Sequence, residues 1–478
     1  LAKPPFDSVF YVGHIIEKTV GEGAMTKKNS DDKPAGFSRR KLLQAGTATI
    51  GAAAFPMPGI AQTKPFAGVT LRGASFQHRF FTLLQNYIPE FEAQTGMKVD
   101  LQLSAFPVYN QQANLELSSG GSAFDFVNVT FILAARWVAA GLLANLDEFT
   151  GDPNLTPAEW KPKDFVEGAQ VPYRDAKGAT YGYSWEGGAM VMGLSRMDLM
   201  EKKGLKIPKT FAELLQVCAE INGTDGVTGL VSFQLHHWCL PPYIQGFGGN
   251  IFRNPPTDIM PTLNSPEAVQ AVEFYSNLLK NYAPKGVLTY TEDQARQALL
   301  TGRSNIFIHS SAWITPILLS NESKVKDTSR VVRMPAGPVR DFPAANSQGL
   351  GIPKNAKNKK AAWEFIKWAL SPEISMRLVK EHGHSSVCRR SVIESEEYRK
   401  LNTVGGQDLG ALYLEVLGLP AKGENYMAYR TVKEFPIVGD VLNKAFEQVA
   451  TGQLPAQAAM NAAQEQAVAN MRRAGTAL

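Results

Sequence analysis

Val69-Thr70-Leu71-Arg72-Gly73-Ala74-Ser75, then Phe80 to Gln94, then Met97-Lys98-Val99-Asp100-Leu101-Gln102-Leu103 is the stretch that decides the fold. The first run is short, β-prone and followed by a polar break, which predicts a strand. Phe80 to Gln94 carries apolar residues at helical spacing and stops at Gly96, which predicts an amphipathic helix. Met97 to Leu103 alternates apolar and polar side chains, the period of a strand. Tyr109 to Ser118 reads as a second helix, and Phe124-Asp125-Phe126-Val127-Asn128-Val129 as a short, nearly continuous apolar strand. Strands alternating with helices predict an α/β fold with a mostly parallel, helix-covered sheet.

Downstream, helix boundaries follow from their caps. Thr210 and Glu213 stand at capping-box spacing, as do Thr291 and Gln294. In each pair the hydroxyl can satisfy one orphan N–H while the longer side chain reaches back to another. Ser265-Pro266 and Ser371-Pro372 each place a capping serine before a proline at the first helical position. Lys359 to Leu370 brings Trp363, Ile366 and Leu370 to one face, and Gln448 to Met471 is an Ala- and Gln-rich helical region.

Upstream, Ser38-Arg39-Arg40-Lys41-Leu42-Leu43 precedes a weakly apolar stretch, Gln44 to Phe55, and then Pro56, Pro58, Gly59 and Ala61. Paired arginines, apolar core and small-residue exit in that order predict a twin-arginine export signal, cut after Ala61. No cysteine sits at the cut to take a lipid anchor, and the apolar core is shorter than the roughly 20 residues that span a bilayer. Met25 is the expected start, and residues 1–23 have no evident role. Export predicts a soluble periplasmic product.

The chain carries 49 Lys and Arg against 44 Asp and Glu. Its first 61 residues hold eight of the former and five of the latter, so a net charge of about +2 remains, a poor match to nucleic acid. Cys218, Cys239 and Cys388 lie far apart with no metal-binding spacing, though an oxidising compartment would allow one disulfide. Twin-arginine cargo is often a redox enzyme, and this cysteine pattern argues against that class. No G-x-S-x-G, H-E-x-x-H or Walker loop occurs. No cofactor, metal or catalytic residue is expected.

The element order and a set of local motifs resemble extracellular solute-binding protein family 1 between about Val69 and Met471. The carrying segments are Phe91 to Val99, Phe124 to Val127, Gly141 to Leu146, Tyr181-Gly182-Tyr183-Ser184-Trp185-Glu186, Lys206 to Leu214, Phe247 to Phe252 and Leu300 to Ile308. Phe211 stands where the family usually has Trp. The resemblance implies a two-lobed periplasmic binding protein fold of type II, with discontinuous lobes joined by a hinge and the ligand in the cleft between them. The expected lobes are 62–183 with 342–388, and 184–341 with 389–478.

A sugar or polyol presents hydroxyls and weakly polar C–H faces, so its site needs flat aromatic platforms and forked hydrogen-bonding groups. Trp313, after Ser310-Ser311-Ala312, is where the family keeps a stacking Trp; its alternative is a core Trp. Trp185 and Glu186 stand at the expected crossing, either as ligand contacts or as hinge residues. Trp238 and Tyr243 fall in a Pro-rich loop with His236 and His237, where metal is disfavoured because adjacent residues diverge. Tyr109, Asn128 and Thr130 lie at a helix start and a strand end, against capping or packing. Arg389, resembling a family Arg after the second crossing, can pair with Glu186 or remain solvated. Gln348 and Tyr429 are weaker candidates.

The resemblance implies reversible capture of a sugar, oligosaccharide or polyol by a monomer, and its delivery to an ABC permease at the inner membrane. Two alternatives stay open. A polyamine would also suit aromatic walls but needs several carboxylates. A secreted carbohydrate-active enzyme needs two carboxylates across a scissile bond, and the sequence identifies no such pair.

Overall fold

One strand, Tyr183–Leu194, organises the architecture. In the computed structural model, which describes residues 64–478 except 256, 342–344, 420–428, 431 and 433, this strand lies within an eight-stranded sheet. The expected export signal lies outside the described residues. In chain order the strands are β1 (Thr70–Phe76), β2 (Lys98–Ser104), β3 (Phe126–Thr130), β4 (Tyr183–Leu194), β5 (Thr228–Val231), β6 (Phe252–Asn254), β7 (Asp258–Pro261), β8 (Ser304–Ser310), β9 (Arg330–Arg333) and β10 (Ala345–Gly351), followed by a short two-stranded pair, β11 (Thr403–Val404) and β12 (Gln407–Asp408). The sheet runs β2-β1-β3-β10-β4-β8-β5, with β9 also on β4, while β6 and β7 form a separate hairpin.

The sheet is mixed, which corrects the mostly parallel expectation. β1 pairs in parallel with β2 and β3, and β5 with β8. The strands that join the two parallel groups, β10 and β4, are antiparallel to their neighbours. β10 runs against the first group and β4 against the second, and the two run against each other. Tyr183 to Ala189 ladders onto β10, whereas Met190 to Leu194 ladders onto β8 and, from Val191, onto β9. Thus β4 belongs to both halves of the sheet.

Core membership changes along the same strand. Tyr183 and Trp185 pack into a cluster with Phe81, Phe126, Trp137 and Trp363. Ala189, Val191, Met192 and Leu194 pack into another with Leu214, Tyr275, Phe307 and Leu442. Between them lie Glu186, Gly187 and Gly188. A Cβ on Gly188 would sit 2.1 Å from Asn346 Oδ1 and 2.8 Å from Ser310 Oγ, so glycine here leaves room for these two side chains of β10 and β8.

The helices cover these cores for the reasons their sequences give. Both capping boxes form, at Thr210/Glu213 and Thr291/Gln294, and Ser265 and Ser371 each accept a backbone N–H. In Lys359–Ala369 the buried face is Trp363, Phe365 and Ile366, each stabilising by about 1.5–3 kcal/mol on full burial. The expected helix from Phe80 to Gln94 is two, Arg79–Leu84 and Ile88–Thr95. Pro89 lacks an N–H and is accommodated in the first turn of the second. The C-terminal region is likewise split into Phe435–Ala450 and Ala456–Arg473, with Gly452 at φ 75° and Pro455 between. All three cysteines are free and buried, so the disulfide that the compartment would allow is not formed.

Candidate functional site

In open α/β sheets, ligands bind beyond the carboxyl ends of the strands. Here the carboxyl ends of β1 and β8, and the turn after β5, converge on one cavity of about 350 Å³ floored by the middle of β4. From one half of the sheet come Phe76 at the end of β1, Gln77 and His78 just beyond it, Phe106 at the start of the helix after β2, and Asn346 and Gln348 of β10. From the other come Phe233, Trp238, Glu292, His309, Ser310 and Trp313. Glu186, Gly188, Ala189 and Met190 form the floor. The volume and the aromatic-rich lining suit a small molecule.

Glu186 reaches the cavity because of a register shift. Gln348 pairs with Glu186 but Gly349 pairs with Ser184, leaving Trp185 as the extra residue of a bulge. Bulges re-aim side chains. Trp185 turns into the core while Glu186 meets His78, whose Nε2 lies 3.1 Å from Glu186 Oε2. His78 caps the helix Arg79–Leu84, and its Nδ1 accepts the Phe80 N–H at 3.1 Å. That bond assigns the proton of the neutral ring to Nε2. The approach to Glu186 is close but misaligned, so Oε2 has no hydrogen bond. Burial raises the Glu186 carboxyl above its ordinary pKa, and the nearby His78 opposes this. Gln348, cross-strand from both Thr130 and Glu186, has its Oε1 buried without a partner.

The opposite wall repeats the arrangement. His309 near the end of β8 accepts the Ser310 N–H on Nδ1 at 2.6 Å, and its Nε2 lies 2.9 Å from Glu292 Oε1. Glu292 opens the helix Glu292–Leu300, next to its capping Thr291. The His309 ring stacks on Phe233 at 5.2 Å and lies 6.3 Å from Trp313. Trp313 is 49% exposed, a large aromatic face left open to the cavity. Trp238 is half-buried, with the Arg430 guanidinium 3.2 Å from its ring centroid.

Of the residues singled out from sequence, Glu186, Trp238, Trp313 and Gln348 line this cavity. Seven others are buried in the surrounding structure. Trp185 stacks on Phe80 at 4.5 Å, and its indole N–H donates to Asn128 Oδ1 at 2.8 Å. Asn128 is fully buried by that contact, and its carbonyl accepts from the buried Tyr109 hydroxyl. Thr130 donates to Asn110 Oδ1 at 2.8 Å. Tyr243 lies inside the second core, stacked on Tyr275 at 5.0 Å.

Arg389 does not pair with Glu186. Its guanidinium is 1% exposed, lies over the Trp160 and Phe165 rings, donates to the carbonyls of Leu370, Trp160 and Lys161, and has Asp164 at 3.6 Å. Burial pulls its pKa down to about 10 despite Asp164. Tyr429 is also buried, against Phe435. Position at an element's end was the signal for several of these residues, but the side chains turn toward the core.

His78, Glu292, His309 and Asn346 were missed. The first and third stand at or just beyond the carboxyl ends of β1 and β8, so the strand-end rule was the available signal. Among the described residues no helix is long and apolar enough to cross a membrane.

Comparison with known proteins agrees with this geometry. A mannitol-binding protein of Pseudomonas aeruginosa is 26% identical over 384 residues, covering 77% of this chain and 85% of that protein. The erythritol/L-threitol-binding protein of Mycolicibacterium smegmatis is 20% identical, covering 69% of this chain and 72% of that one. In fold, the chain is similar to an ABC transporter solute-binding protein of Agrobacterium vitis S4 solved with D-mannitol. The TM-score is 0.70 at 21% identity, with 85% of this chain and 99% of that one covered. An ABC transporter solute-binding protein from Agrobacterium radiobacter K84 in complex with ribitol gives 0.70 at 22%, covering 84% and 98%. The family profile of the bacterial extracellular solute-binding proteins matches residues 78–376, more than half of the chain, and the protein belongs to that family.

Proposed function

We propose that this protein is the substrate-binding component of an ABC importer that captures a polyol or small sugar and hands it to a membrane permease, acting by binding and not by catalysis. The observation that carries the reading is the cavity between the two halves of the sheet. Its aromatic faces, Trp313 and Trp238, stand beside two buried acceptors without partners, Glu186 Oε2 and Gln348 Oε1. A buried polar atom left without a partner costs about 1–3 kcal/mol, which a bound hydroxyl would recover. Relatives that bind mannitol and erythritol support the same class.

The two halves act as lobes that close on the solute, with the hinge at Glu186-Gly187-Gly188, where the core changes. The Ser38 to Ala61 segment supports twin-arginine export to the periplasm, where a monomer would work. Titration calorimetry with C4 to C6 alditols and mono- and disaccharides tests the reading. Saturable binding of at least one polyol or sugar is expected. Binding only of amines, peptides or metals, or turnover of an oligosaccharide, would overturn it.

A further inference from the structure

The two histidine–carboxylate pairs have a property that the overall charge of the protein does not reveal. Both histidines spend Nδ1 on a backbone N–H, so each ring offers its cavity side a single N–H, and that already faces a carboxylate. The surplus in each pair is therefore acceptor capacity. The buried cavity-lining atoms without a partner are also acceptors, Glu186 Oε2 and Gln348 Oε1. Among the described residues that line the cavity there is no lysine or arginine. Two guanidiniums stand nearby without lining it: Arg79 donates to the His382 carbonyl, and Arg430 lies on the Trp238 ring and donates to Tyr429 Oη and the His237 carbonyl.

We infer that the cleft is an acidic-solute filter, in which His78–Glu186 on one half and His309–Glu292 on the other accept hydrogen bonds from an uncharged or amino-bearing polyhydroxyl chain and reject its carboxylate and phosphate derivatives. This rests on the polyol reading above. Hydroxyl and ammonium groups bring the donors these acceptors require. A carboxylate or phosphate brings negative charge toward two carboxylates and meets no arginine fork of the kind that recognises such anions. Because the pairs come from opposite halves, both ends of a bound chain experience the filter.

The test is calorimetry at neutral pH with four probes: D-mannitol, 1-amino-1-deoxy-D-mannitol, D-mannonate and D-mannitol 1-phosphate. Mannitol and its amino analogue are expected to bind within tenfold of each other, and mannonate and the phosphate at least 100-fold more weakly. In Glu186→Gln and in the more exposed Glu292→Gln, checked as folded by thermal unfolding, the ratio of mannitol to mannonate affinity is expected to shrink at least tenfold. Mannonate or the phosphate binding as tightly as mannitol would refute the filter alone. An unchanged ratio in both variants would refute the role of the pairs. Failure of all four probes to bind would refute the filter as stated, and the polyol reading falls with it only if none of the alditols and sugars above binds either.

Discussion

The wall behind β4 and the cleft in front of it hold similar residues with opposite accounts. Behind, Trp185 is 2% exposed, stacked on Phe80 and bonded to Asn128, and Arg389 is sandwiched between rings and carbonyls. In front, Trp313 is half exposed, and Glu186 and Gln348 keep acceptor atoms without partners. The wall spends its aromatic and polar groups on folding; the cleft withholds them. Residue type does not distinguish a pillar from a platform; whether the side chain is packed among its neighbours or left facing the cavity does.

Substitutions should separate the two regions. The largest effect is expected from Trp185→Ala, which empties a core site and strands Asn128: a loss of about 3–5 kcal/mol in denaturant unfolding. A loss below 1 kcal/mol would break the distinction. Next comes acid. His384, buried in the wall near Phe80, has its pKa pushed down to about 3 by burial. Its folded pKa lies below the unfolded value of 6.5, so its contribution is complete above pH 6.5 and is lost as pH falls toward 3. At pH 5 the loss is about 2 kcal/mol, and His384→Gln should flatten the pH dependence of urea unfolding by that amount.

The cleft should behave in reverse. Burial raises the Glu186 carboxyl above the ordinary 4.5, so keeping it ionised in the folded protein costs more as pH rises above that value. Glu186→Gln should therefore stabilise the ligand-free protein at neutral pH, with the gain shrinking as pH falls toward 4.5, while polyol affinity falls about tenfold. Destabilisation at pH 7 would place Glu186 with the wall. The smallest stability change, under about 0.5 kcal/mol, is expected for Trp313→Ala, together with a tenfold or greater loss of affinity by calorimetry.

Much of this was legible in sequence where the physics is local. Thr210, Thr291, Ser265 and Ser371 announce their helices because a cap depends on residues three positions away. The family motifs led to Glu186, Trp238 and Trp313. What sequence did not show is direction. Trp185 and Glu186 are neighbours, and a bulge set by β10 decides which one faces the cavity. Asn128 and Tyr109 look available until Trp185 and the strand carbonyl claim them. His78 and His309 became visible only when β1 and β8, far apart in the chain, ended at the same place.

A strand shared by both halves of a sheet also works as a torsion bar. Any rotation of one half against the other must pass through the β4 backbone as twist, concentrated where Gly187 and Gly188 offer no side chain to resist it. The Tyr413 hydroxyl grips the Gly187 carbonyl at that point. Amide hydrogen exchange at these two glycines would then act as a built-in gauge of how often the molecule breathes, read without any ligand or label.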